Sequence, residues 1–211
     1  DIKTPPVGLP PGVPIVFAPT VLWPKVEFTI TQSGVYSNVT LAQGQLLRIE
    51  SNTLPKQPVT LYVTGDLNLQ QDAELRIEGD PFLMGTWTPV TIYLGGNLNG
   101  SNSNGINNMT RKPVNFFLYG TGEDQDWQIK NGTDFFGVYY GRNADISIYA
   151  KGAIYGSVTG RSFELDVASG GAPGAYFGLH YDQSLADPSV SPSGYAIKRW
   201  WEEAGSPVGG P

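Results

Sequence analysis

Residues 137–167 read GVYYGRNADISIYAKGAIYGSVTGRSFELDV, and the stretch nearly repeats itself. Gly137, Gly141 and Arg142 return 19 positions on as Gly156, Gly160 and Arg161, while Ile146 and Ile148 return as Leu165 and Val167. Short runs of β-branched and aromatic residues, punctuated by Gly and Asn and repeated near 20 residues, are how a stack of short strands reads. The same spacing places Asp145 and Glu164 over one another in adjacent turns. Two carboxylates so placed repel, so one is expected to turn away or to pair with Arg142 or Arg161.

Working outward, the repetition continues. LLRIES at 46–51 matches ELRIEG at 74–79; PVTLYVTGDLN at 58–68 matches PVTIYLGGNLN at 89–99; PVNFFLYGTGE at 113–123 is a looser third copy. The intervals shrink along the chain, from 31 to 24 to 19 residues. Alternating apolar and polar positions mark each run as a strand with one buried face. One such repeat cannot hold itself, because ordering each residue costs roughly 1–2 kcal/mol of backbone entropy while a buried aliphatic side chain stabilises by only about 1.5–3 kcal/mol. Stacked repeats share an interior and gain ladder hydrogen bonds above and below. The expectation is an all-β, right-handed, single-stranded parallel β-helix over residues 25–203, of about six coils. The alternative is a β-sandwich or jelly roll, for which Asn104-Gly105 and Asn131-Gly132 are hairpin signals.

Residues 1–24 carry seven prolines and read as an extended arm. Ile15-Val16-Phe17 and Trp23 are apolar enough to attach part of it to the body. Ala196 to Ala204 reads as a helix ending at Gly205, or equally as a closing strand in which Tyr195, Ile197 and Arg199 alternate with Ala196 and Lys198. Trp200 and Trp201 suit a cap on the C-terminal end, and residues 204–211 read as a disordered tail. The opening DIKTPPVGLPPGVP looks like the middle of a longer protein, with any membrane anchor upstream.

Composition restricts function. The 211 residues carry 13 Lys+Arg against 19 Asp+Glu, a net charge of −6, which argues against tracking a nucleic-acid backbone or an anionic membrane. There is no cysteine, so disulfides, thiolate metal sites and cysteine nucleophiles are excluded. No cofactor is expected, and the glycines follow no phosphate-loop pattern. His180 is the single histidine; Asp182, two positions away, would share its face on a strand and orient it. The polar candidates are therefore His180, Asp182, Asp145 and Arg142, with no catalytic set among them. GEDQDW at 122–127 supplies Glu123, Asp124 and Asp126 without the ligand spacing of a calcium loop, and Asn143 reads as a turn corner. Neighbouring aromatics cannot all point inward, which makes Tyr139, Tyr140, Phe135 and Trp127 candidates for a surface that stacks on sugars or docks a protein, or one that the Pro-rich arm or a loop covers.

The stretch 137–167, with HYDQSL at 180–185 and GYAIKRWWE at 194–202, resembles a bacterial exported C-terminal domain of unknown function found on pilin-like surface proteins of the type IV pilus assembly kind. The resemblance spans residues 90–203. It is specific at Asn143-Ala144-Asp145, Tyr155-Gly156 and His180-Tyr181-Asp182, and departs at Gly141-Arg142, where that family carries Ala-Pro, and at the insert 169–175. It implies a parallel β-helix outside the cell, at the surface or in the periplasm, and no established activity. The functional expectation is a non-enzymatic structural or adhesive module that meets a protein or glycan at the cell surface. The alternative is a carbohydrate-binding or carbohydrate-active β-helix.

Overall fold

The computed structural model describes residues 27–51, 55–78, 87–100, 105–131, 134–150, 152–165, 178–182 and 185. The expected arm at 1–24, the C-terminal cap, the tail at 204–211 and Asn104 lie outside them.

The chain opens with β1 (Glu27–Ile30), β2 (Gly34–Tyr36) and β3 (Val39–Leu41). Three further triplets follow: β4 (Leu46–Ile49), β5 (Val59–Val63) and β6 (Leu67–Leu69); β7 (Glu74–Ile77), β8 (Val90–Leu94) and β9 (Leu98–Asn99); β10 (Gly105–Asn108), β11 (Phe116–Gly120) and β12 (Gln125–Asn131). A short 3-10 turn at Pro113–Asn115 precedes β11. The last strands are β13 (Phe135–Ala150), β14 (Ile154–Leu165) and β15 (Leu179–His180).

Through the triplets, each strand pairs with the one three places on. β1-β4-β7-β10 form a four-stranded sheet, while β2-β5-β8-β11 and β3-β6-β9-β12 are the two arms of an eleven-stranded one. β13 joins those arms. Its first half pairs with β11 (Phe117↔Val138) and its second with β12, from Gln125↔Ala144 to Asn131↔Ala150. β14 lies along both halves of β13, and β15 adds to Ile154 and Tyr155. The protein is all-β with parallel sheets, and every strand pair among the described residues is parallel. The hairpin signalled at Asn131-Gly132 is not made: β12 ends at Asn131 and pairs in parallel with the strand that follows it.

The sequence repeats are registers. Leu46–Ile49 lies against Glu74–Ile77, and Val59–Val63 against Val90–Leu94. Two expected alignments shift by two residues. In the third copy Phe116, not Val114, opposes Val90, because Pro113–Asn115 is taken up by the 3-10 turn. In the doubled stretch Gly137↔Gly156 and Gly141↔Gly160 hold, but the register then slips, so Ile146 and Ile148 oppose Phe163 and Leu165 rather than Leu165 and Val167. A two-residue slip is tolerated because side chains alternate with period two, so the inward face stays inward.

Columns of inward residues follow from these registers. Leu61, Ile92 and Leu118 form one, and Leu67, Leu98 and Trp127 another, all within the hydrophobic core. On the outer side of the four-stranded sheet, Arg48 bridges Glu27 at 3.3 Å and Glu78 at 2.9 Å, and Arg76 holds Glu74 at 2.7 Å. Burial pushes the Glu78 carboxyl up, against the pull of Arg48 and Arg76.

Candidate functional site

Three of the four aromatics expected at the surface are interior. Trp127 is fully buried, as are Phe135 and Tyr139, and they pack with Phe116. Phe135 stacks on Tyr139 at 4.4 Å, while Phe116 meets Phe135 edge-on at 6.0 Å and Trp127 meets Tyr139 edge-on at 6.4 Å. The cause is topological. β13 begins four positions after β12 ends, with no strand of the four-stranded sheet between them. Large rings fill the interior beyond β10, where that sheet ends. The doubled glycines make room for them: a Cβ on Gly137 would sit 2.6 Å from Phe116 and 2.7 Å from Phe135, and one on Gly141 would sit 3.0 Å from Trp127. Burial pushes the Tyr139 phenol well above its ordinary pKa.

The fourth aromatic, Tyr140, belongs to an outer column with Tyr62, Tyr93 and Tyr119. Successive centroids lie 5.0, 5.4 and 6.1 Å apart, the first two pairs stacked and the last tilted. Ring faces are thereby spent on each other, and Tyr119 is itself buried. A sugar-stacking platform needs free faces.

Asp145 is part of a corner ladder that runs from Asn38 to Ser162. Asn38 Oδ1 accepts from the Asp66 N–H at 2.8 Å, Asp66 Oδ1 from the Asn97 N–H at 2.7 Å, and Asn97 Oδ1 from the Asp126 N–H at 2.8 Å. Asp126 is in register with Asp145, and Asp145 with Ser162. Each ladder residue precedes an apolar one, inward at Val39, Leu67, Leu98, Trp127 and Ile146 and exposed at Phe163. The signal in the sequence is Asn or Asp, then an apolar residue, then a polar one, and it was missed because the interval varies. At Asp145 the carboxylate accepts from Arg161 Nε at 3.0 Å and Nη2 at 2.6 Å and from Ser162 Oγ at 2.5 Å. Those donors, Arg161 first, hold its pKa down at about 2. Arg161 Nη1 also donates to Asp124 at 2.5 Å. The expected Asp145–Glu164 stack does not form, since the register slip sets Glu164 against Ser147. Arg142 is exposed, and among the described residues the ion pairs of this corner go to Arg161 instead. Asn143 stands where β13 passes between arms and donates to the Gly122 carbonyl at 3.4 Å.

His180 is the third ring of a second outer ladder. Phe136 stacks on Tyr155 at 4.7 Å, and Tyr155 on His180 at 4.7 Å. β15 ends at His180, so the alternation that would carry Asp182 to the same face stops there. His180 therefore belongs to the ring ladder and Asp145 to the Arg161 corner, two separate arrangements. Chemically, the Asp145–Arg161–Asp124 corner is a set of closed ion pairs, and the two outer ladders are stacked rings. Among the described residues no group of three or more His, Asp or Glu is placed to hold a metal ion.

No curated protein and no solved structure matches the chain. A family model described as Domain of unknown function (DUF7305) matches residues 25–188, and the chain belongs to that family.

Proposed function

We propose that the chain is a parallel β-helix serving as a non-enzymatic structural module of an exported, pilin-associated bacterial surface protein. One observation carries the reading: the polar and aromatic groups that suggested chemistry are spent on holding strands in register. Asp145 is chelated by Arg161 and Ser162, His180 lies on Tyr155, and Trp127, Phe135 and Tyr139 fill the interior. Rotation of the chain through three strand rows supports a coil whose stability is a sum of repeat and neighbour terms, suited to a stiff spacer or adhesive shaft. The shared outer tyrosine faces argue against a glycan stacked on them. The test is surface labelling of intact producing cells with an antibody to the folded domain, combined with a polysaccharide turnover screen of the purified protein. Surface label with no turnover supports the module. Turnover lost on changing Asp124 or Asp145 would establish a carbohydrate-active β-helix instead, and label confined to the cytoplasm would remove the exported role.

A further inference from the structure

The outer side of the strands β2, β5, β8, β11 and β13 presents an observation that the core does not explain. Val35, Phe117 and Tyr119 are each only 5 % exposed and Thr91 9 %, yet none belongs to the core cluster. Their sequence neighbours Tyr36, Phe116, Leu118 and Ile92 do belong to it, so by strand alternation these four side chains point outward. Tyr119 is a rung of the tyrosine ladder, Val35 lies in register with Tyr62, and Phe117 lies parallel to Tyr119 at 6.1 Å. Exposure this low on an outward face is what a covering segment would produce.

We propose that this face is a docking surface for a proline-rich extended segment and that its occupant is the chain's own residues 1–24. Polyproline II backbone has no internal hydrogen bonds, so its carbonyls are open to tyrosine hydroxyls at the rim of an aromatic groove, and its pyrrolidine rings settle between ring edges. The dimensions agree. Two ring steps, 5.0 and 5.4 Å, nearly match one polyproline turn, which is about 9 Å for three residues. Pro11 and Pro14 are three residues apart, and seven of the 17 prolines fall in the first 24 positions. The segment also leads into β1, and β2, whose Val35 adjoins Tyr62, begins seven positions after Glu27. As polyproline the segment would span roughly 70 Å, ample to reach the ladder. Its one Asp and one Lys leave it neutral, as an apolar groove prefers.

The test uses the full chain, which has no cysteine of its own. Gly12→Cys with Thr60→Cys, whose position flanks Tyr62, should oxidise to a disulfide within one molecule. Gly12→Cys with Thr40→Cys, on the other arm of the sheet, should not. In parallel, tyrosine nitration read by peptide mass spectrometry should find Tyr119 protected in the parent. In the variant Pro10→Gly/Pro11→Gly/Pro14→Gly its modification should rise severalfold, with interior Tyr139 unchanged as the control for folding. Equal cross-linking of both pairs, a disulfide formed only between molecules, or Tyr119 still protected in the glycine variant would overturn the assignment.

Discussion

The triplets β1 to β12 and the long strands β13 and β14 solve the same problem with different parts. In the triplets, successive repeats are 28 residues apart at Leu46↔Glu74 and 31 at Val59↔Val90, and the buried side chains in register are mostly aliphatic. In β13 and β14 the interval falls to 19 at Gly137↔Gly156 and to 17 past Gly141, because the strand of the four-stranded sheet is missing. An interior bounded by fewer strands is filled by bigger side chains, with glycine where those chains need space. Aliphatic columns tolerate substitution by rotamer adjustment, whereas rings wedged against backbone do not. The difference teaches that a shrinking repeat can record the loss of one strand row and need not mean decay of the pattern.

The most severe break in this comparison should come at the aromatic fill. Trp127→Ala is expected to lose about 3–5 kcal/mol, read from the denaturant midpoint at constant m-value. Leu61→Ala in the aliphatic column should lose less, about 2–4 kcal/mol on the same scale. An equal or smaller loss at Trp127 would mean that the rings are not the keystone of the shorter repeats. Next, Gly141→Ala should destabilise by about 1–3 kcal/mol through overpacking against Trp127 and Ala144. Gly44→Ala, where the space is open but φ is +71°, should act through backbone strain alone and cost roughly 1 kcal/mol. Combining Gly141→Ala with Trp127→Leu should recover part of the loss if the clash is the cause, which a double-mutant cycle would measure.

Smaller effects should appear in the corner ladder, which crosses both regions. Asp66→Ala removes the acceptor for the Asn97 N–H and is expected to cost about 1 kcal/mol. The acid limb of stability supplies the smallest effect. Asp145 has its pKa lowered from 3.8 to about 2 by Arg161 and Ser162. Its contribution is complete above the unfolded value and is lost as pH falls through the folded one. Stability measured from pH 4 down to 2 should therefore decline less steeply in Asp145→Asn, and high salt should weaken the contrast because the pair is exposed. An unchanged acid slope in that variant would show that the corner holds register without adding stability.

Much of this was legible in the residues. The repeats LLRIES/ELRIEG and PVTLYV/PVTIYL predicted their own pairings, since identical alternation must meet in register for both faces to be satisfied. The residues offered Arg142 or Arg161 as the partner of a stacked acid; the stack does not form, and Asp145 pairs with Arg161. The aromatics were misread because period two decides only that neighbours differ in side. Which side is inward at Tyr139-Tyr140 depends on what β13 packs against. For His180 and Asp182, the alternation that would put them on one face stops where the strand ends at His180.

By itself the sequence determined an all-β chain of short repeating strands, acidic, without cysteine, and dense in turn residues. Local pattern suffices for that, since it depends on neighbours one or two residues away. Tertiary structure alone decided the two register slips, the loss of one strand row after β10, and the burial of Trp127, Phe135 and Tyr139. Each depends on the space left by strands roughly 20 to 30 residues distant, which no local periodicity encodes.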